Sequence, residues 1–229
     1  MKSEFEKFYL SQNPWGRSQL DAVQREQMKR VPANYINPHI LEERSLNVTS
    51  LDIYSRLQLD RLLFLNTSIT EETANVLVAQ LLFLHSVDHK PITLHISSGG
   101  GSVYSGYEII STMELISESG SPVNTIVLSM AASMAAVITA CGIKRSALKR
   151  SRIMIHQPLG SLGEGMVQAT DIQIEAQEIT KLKNELYELL SEKTGQPKER
   201  LEKDCERDYW LKDYEAVEYG LIDEIITKI

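Results

Sequence analysis

From Asp52 onward, short apolar runs alternate with longer segments whose apolar residues recur at three- and four-residue spacing. RLLFL (61–65), PITLHIS (91–97), NTIVLSM (124–130), SRIMIHQP (151–158) and IDEIITKI (222–229) read as strands, being short and rich in aliphatic and β-branched side chains. Helical patterns lie between them. Residues 70–87 put Ala74, Val78, Leu81 and Leu82 at helical spacing, with Thr70 as N-cap and Glu72 and Thr73 in the first turn. A second helix is predicted over about 105–117, and a small-residue helix over AASMAAVITACG (131–142). The longest spans about 170–193 through Ile172, Ala176, Ile179, Leu182, Leu186 and Leu190, and Gly195 and Pro197 end it. A short helix over Tyr214–Tyr219 precedes the last strand. Strands alternating with helices imply an α/β fold with a mainly parallel sheet covered on its faces.

Residues 1–45 differ: they are polar, carry Pro14, Pro32 and Pro38, and show no sustained apolar period. They read as an N-terminal extension, a candidate propeptide, gate or tether, leaving 46–229 as the domain. A length of 229 residues suits one α/β domain plus such an extension. A net charge of −7 argues against a general nucleic-acid binder, which needs a basic face. Cys141 and Cys205 are far apart, so a disulfide framework or zinc site is not expected. No apolar run reaches the roughly 20 residues that span a bilayer. The start has no apolar core and carries Glu4 and Glu6, against a signal or transit peptide, so a soluble cytoplasmic protein is expected, with no membrane partner.

Three places carry chemistry. SSGGGSVYSG (97–106) joins a strand to a helix but has neither a GK[ST] ending nor GxGxxG spacing, so it is either a plain turn or a loop whose N–H groups hold a negative oxygen. In MAASMAA (130–136) a strand ends and a helix begins at Ser133. Tight packing would explain the alanines. A nucleophile elbow would explain them too, with the hydroxyl exposed and the Met134 N–H aimed at the same space. His156 ends the apolar run RIMI, at the carboxyl edge where sites gather in parallel sheets. The remaining histidines, His39, His85, His89 and His95, lack metal-ligand spacing apart from the His85 and His89 pair. Of the acids that could orient an imidazole, Asp171 reads more simply as a helix N-terminal acid, and Asp204 and Asp208 both remain candidates.

From about Ile40 to the C-terminus the chain resembles the ClpP family, the proteolytic subunits of the ATP-dependent Clp protease. The resemblance is carried by DIYSRLQLDRLLFL, GGSV with GYEII, AASMAA, SRIMIHQPLG, QATDIQI and RDYW…EAVEYGLIDEI. It implies a ClpP/crotonase-like α/β fold: a twisted, mainly parallel sheet, covering helices and a protruding handle, here about 159–193. It implies a serine endopeptidase whose nucleophile is Ser133, base His156 and triad acid Asp208, with oxyanion donors on the backbone N–H groups of Gly101 and Met134. Extended substrate would add as a strand beside 99–103 and 159–168. No metal or other cofactor is implied. ATP would be used by a partner, an AAA+ unfoldase of the Clp type that delivers unfolded polypeptide to two stacked seven-membered rings of this chain.

The chain departs from the family pattern in four ways. Gly99 replaces the usual proline before the glycine loop, and the segment between Gln157 and Asp171 is longer. Thr93 and His95 stand where aromatics usually help to dock the unfoldase, and the N-terminal extension is unusual. These departures leave open a divergent paralogue that assembles with a second ClpP subunit, as a weakly active or structural member of a mixed ring. A crotonase-like acyl-CoA enzyme would share the fold and a two-N–H oxyanion hole without needing the Ser–His–Asp set.

Overall fold

The computed structural model describes residues 39–44, 47–160, 166 and 168–228, with side chains from Asp52 on. The chain divides into one unit ending at Tyr54 and a second running from Ser55. In the first, β1 (His39–Arg44) and β2 (Asn47–Asp52) form an antiparallel hairpin, His39 opposite Asp52 and Arg44 opposite Asn47. Helix α1 (Ile53–Leu59) follows.

The second unit is the α/β body. In chain order it holds β3 (Leu62–Leu65), α2 (Glu71–Val87), β4 (Ile92–Ser98), α3 (Val103–Glu118), β5 (Val123–Ala132), α4 (Met134–Ala140), β6 (Arg145–Leu148) and β7 (Arg152–Ile155). Then come α5 (Ala169–Thr194), α6 (Lys198–Asp204), β8 (Tyr209–Lys212), α7 (Asp213–Tyr219) and β9 (Glu224–Ile226). The strands form one sheet in the order β3-β4-β5-β6-β9, and every pairing along that path is parallel. β5 is long enough to serve two neighbours. Its first half pairs with β6 and its second half with β7, and β8 adds antiparallel to β7.

The buried face follows from the sequence. In β4 every second residue, from Ile92 to Ser98, points into the core, the period-two signature of a strand. Thr70 caps α2 reciprocally with Thr73, and Ala74, Leu77, Leu81 and Leu84 form its buried stripe. All seven residues of α4 are buried, which is why only small and aliphatic side chains occur there. Burial pushes the free thiols of Cys141 and Cys205 up to about 12, so both behave as inert core groups.

Helix α5 behaves differently from the packed stripe that its periodicity predicts. Leu186, Tyr187 and Leu190 in its second half are buried, but Ile172 and Ile174 near its start remain exposed. The first half therefore projects from the body as a handle. Two strands of the body escaped the sequence pattern: β6 (RSAL) and β8 (YWLK) are four residues long and form neither an apolar run nor an alternation of polar and apolar side chains.

An ionic clamp fastens the C-terminal strand. Asp223 pairs with the Arg145 guanidinium and accepts the Arg145 N–H at 2.8 Å, while Arg145 also donates to the carbonyls of Lys193 and Gly220. The Arg145 side-chain bond, reinforced by the backbone one, holds the Asp223 carboxyl below its ordinary value. A depressed carboxylate contributes stability above its unfolded value, near 3.9, and loses it as pH falls through the folded value. Asp223→Asn is expected to destabilise the fold by about 1–2 kcal/mol at pH 7, a figure already reduced for the exposure of Asp223. The difference should shrink steadily below about pH 4, as checked by denaturant unfolding across that range.

Candidate active site

Ser133 follows the last residue of β5 and precedes the first of α4, at φ 55° and ψ −128°. An L-residue there has a strained backbone, at a cost of about 1–3 kcal/mol, and that geometry lifts the hydroxyl off the sheet edge. The strand register supplies its neighbour. Ala132 lies beside Met154, and the Ser133 N–H donates to the Met154 carbonyl at 2.9 Å, so the next outward residue of β7's exit is His156. Ser133 Oγ stands 2.8 Å from His156 Nε2.

β8 brings in the carboxylate. Its antiparallel register against β7 sets Ile155 opposite Tyr209, so one step further His156 faces Asp208. Just beyond, the Gln157 N–H donates to the Cys205 carbonyl at 2.7 Å and the Gln157 side chain to that of Glu206 at 3.1 Å, closing the segment before β8 onto the end of β7. Asp208 Oδ1 lies 3.2 Å from His156 Nδ1. A carboxylate at Nδ1 favours the tautomer protonated there, leaving the Nε2 lone pair to accept the Ser133 O–H. The side chain of His156 is 13% exposed and that of Asp208 61%.

The other two acids lie elsewhere. Asp204 accepts from the Tyr219 hydroxyl at 2.9 Å and pairs with Arg200, and Asp171 sits in the first turn of α5. His85 of α2 and His89 just beyond it both meet the Ser121 hydroxyl, at 2.8 and 3.4 Å, and so tie the end of α2 and the loop after it to the turn before β5. His95 stacks on Phe64, and its partial burial lowers its pKa.

The glycine loop closes the other side. Gly100 has φ +90°, and a Cβ there would stand 2.6 Å from the Ala132 carbonyl oxygen and 2.7 Å from Ser133 Cβ. The loop therefore presses on the serine turn with no room for a side chain. Gly101 forms a parallel bridge with Ile69, and its would-be Cβ would fall 2.2 Å from the Ile69 oxygen. Gly106, one turn into α3, leaves space that the Met134 side chain fills. Residue types that looked like separate motifs thus form one surface. Gly100→Ala is expected to cost about 2 kcal/mol or more, from positive φ and backbone overlap together, and to reduce any activity centred on Ser133. Thermal unfolding beside a rate assay checks both.

Residues 45–229 match the family model described as Clp protease. The chain belongs to the Clp protease family. Curated members share its sequence closely. The chain is 50% identical over 212 residues to an ATP-dependent Clp protease proteolytic subunit of Porphyromonas gingivalis, covering 91% of this chain and 93% of that protein. It is also 50% identical to one of Bacteroides fragilis, covering 91% of this chain and all of that protein. With one of Bacteroides thetaiotaomicron the identity is 53% over 199 residues, 86% of this chain and 88% of that protein. The 212 aligned residues exceed the 184 of positions 46–229 (229 − 45), so the similarity reaches into the N-terminal segment. Among the described residues, no helix of this Clp protease family member is long and apolar enough to cross a membrane.

Proposed function

We propose that this chain is a serine endopeptidase, the proteolytic subunit of a Clp-type protease, with Ser133 as nucleophile, His156 as general base and Asp208 as the acid that orients it. The observation that carries this reading is the 2.8 Å contact between Ser133 Oγ and His156 Nε2, with Asp208 on the far nitrogen. His156 takes the proton of Ser133 as Oγ attacks the peptide carbonyl, then returns it to the leaving amine. Water hydrolyses the acyl-enzyme by the same route in reverse. The Met134 N–H opens a helix, and the Gly101 N–H lies on the edge of the glycine loop opposite Ile69. Those two donors would hold the oxyanion, each contributing about 3–4 kcal/mol to the transition state.

The chemistry calls on no metal or cofactor of this chain. ATP would be used by an AAA+ unfoldase that feeds it unfolded polypeptide, in the cytoplasm. Substrate would lie as an added strand beside 99–103; most of the second proposed strand partner, 159–168, lies outside the described residues. The exposed Ile172 and Ile174 on the handle would be covered if two seven-membered rings stack through it. The N-terminal segment would act as a propeptide or axial gate. A complete Ser–His–Asp set, together with full-length similarity to proteins named proteolytic subunits, favours an active chain over a structural member of a mixed ring. The same set favours peptidase over acyl-CoA chemistry.

The test is a fluorophosphonate probe on the purified chain, read by intact mass beside native mass. One adduct is expected on the wild type and none on Ser133→Ala. An assembled barrel that takes no label would remove Ser133 as nucleophile.

A further inference from the structure

β4 ends at Ser98 and three glycines follow, the stretch of this chain with the greatest backbone freedom. The proposed oxyanion donor sits at the end of that stretch, so something must fix its direction. Part of the answer is the bridge to Ile69. The Gly100 carbonyl accepts the Ile69 N–H at 2.9 Å, and the Ile69 carbonyl accepts the Ser102 N–H at 2.9 Å. In a trans peptide the C=O and the following N–H point opposite ways. With the Gly100 carbonyl turned to Ile69, the Gly101 N–H is turned away from it, toward the β5 side where Ser133 stands.

The bridge is itself held by one buried hydroxyl. Ser98 is 2% exposed. It donates its O–H to the Thr67 carbonyl at 2.6 Å and accepts the Gly100 N–H at 3.1 Å. One oxygen thus joins the chain before Ile69 to the chain before Gly101. Gly99, between Ser98 and the packed Gly100, lacks such support. A Cβ on Gly99 would meet only Met130 Cε, at 3.9 Å, and Gly99 lies outside the left-handed region.

We propose that Ser98 is a positioning residue for the oxyanion hole, its hydroxyl holding the Gly99–Gly100 peptide and, through Gly100, the Gly100–Gly101 peptide, so that the Gly101 N–H, rather than a carbonyl, faces the developing oxyanion. The inference rests on the reading of Ser133 as nucleophile. Without the hydroxyl, the Thr67 carbonyl and the Gly100 N–H lose their shared partner. A half-turn of the Gly100–Gly101 peptide then directs a carbonyl oxygen at the developing oxyanion and repels it. Ser98 touches no reacting atom, so its effect should appear in turnover and transition-state binding and only weakly in ground-state binding.

The test compares wild type, Ser98→Ala, Ser98→Thr, Ser98→Cys and Ser98→Ala/Gly99→Ala in the assembled form. The measurements are kcat and KM on a fluorogenic peptide, affinity for a peptide aldehyde that forms a tetrahedral adduct, native mass and thermal midpoint. Ser98→Ala should lower kcat about 10- to 100-fold, below the roughly 10²–10³-fold of losing a donor outright, with KM changed less than about threefold. Aldehyde affinity should fall in parallel with kcat. Ser98→Thr, which keeps the hydroxyl, should stay within about threefold of wild type, and Gly99→Ala should restore part of the loss by stiffening the loop. If Ser98→Ala does not assemble, Ser98→Cys, similar in shape but a weak hydrogen-bonding group, should show the same kcat loss. Wild-type kcat in an intact Ala or Cys variant would overturn the proposal, as would a loss carried equally by KM or unrelieved by Thr. A wild type that takes no fluorophosphonate at Ser133 would instead overturn the nucleophile assignment beneath it.

Discussion

Ser133→Ala is expected to lower kcat on a peptide substrate by roughly 10⁵–10⁶-fold, with assembly and KM little changed. The reason is the geometry of the serine turn. The hydroxyl removed is the atom 2.8 Å from His156 Nε2, and no other hydroxyl is placed there among the described residues. His156→Ala should cost about as much, and the double variant no more than either, because base and nucleophile act as one unit. A third variant separates chemistry from folding. At φ 55° serine and alanine carry the same backbone strain, whereas glycine does not. Ser133→Gly should therefore be as inactive as Ser133→Ala yet more stable by about 1 kcal/mol, measured by thermal unfolding of both. Equal stabilities would mean the turn is not strained. Residual activity within about a hundredfold of wild type would mean another nucleophile operates.

Much of the body was legible because its elements are long and periodic. Thr70 with Thr73, the alternation of β4 and the small residues of α4 each reflect a local rule that packing then reinforced. His156 was legible from its place at the end of a short apolar run. The acid was not. Nothing in EKDCERDYW distinguishes Asp204 from Asp208 by local pattern, and only resemblance to a family chose between them. The physical discriminator is β8, whose four residues carry no measurable period but whose register against β7 sets Asp208 opposite His156 and leaves Asp204 to Tyr219. The union of the glycine loop with the serine turn was equally invisible. It depends on Gly100 touching Ala132 and Ser133, a contact between distant segments that neither segment encodes alone.

That division yields the second large effect, Asp208→Asn, expected to reduce kcat by about 10²–10⁴-fold, less than the loss at Ser133. The carboxylate does two things that respond differently to water. It holds the Nδ1–H tautomer, which leaves Nε2 free to accept a proton, and it stabilises the imidazolium formed when Ser133 attacks. The asparagine can still present its carbonyl to Nδ1–H, so part of the orienting effect survives. The charge is lost, but in the isolated chain that carboxylate is 61% exposed, and solvent and salt already weaken its field at the imidazole. Wild-type kcat should therefore decline modestly as ionic strength rises, while Asp208→Asn shows little such dependence. Asp204→Asn is the control. It should lower the thermal midpoint by loosening Tyr219 and Arg200, while leaving kcat within about threefold of wild type. If the large kcat loss followed Asp204 instead, the register of β8 against β7 would not be the one that operates in the working enzyme. If neither variant lost more than tenfold, His156 would need no carboxylate, and its tautomer would have to be fixed by the backbone around Gln157.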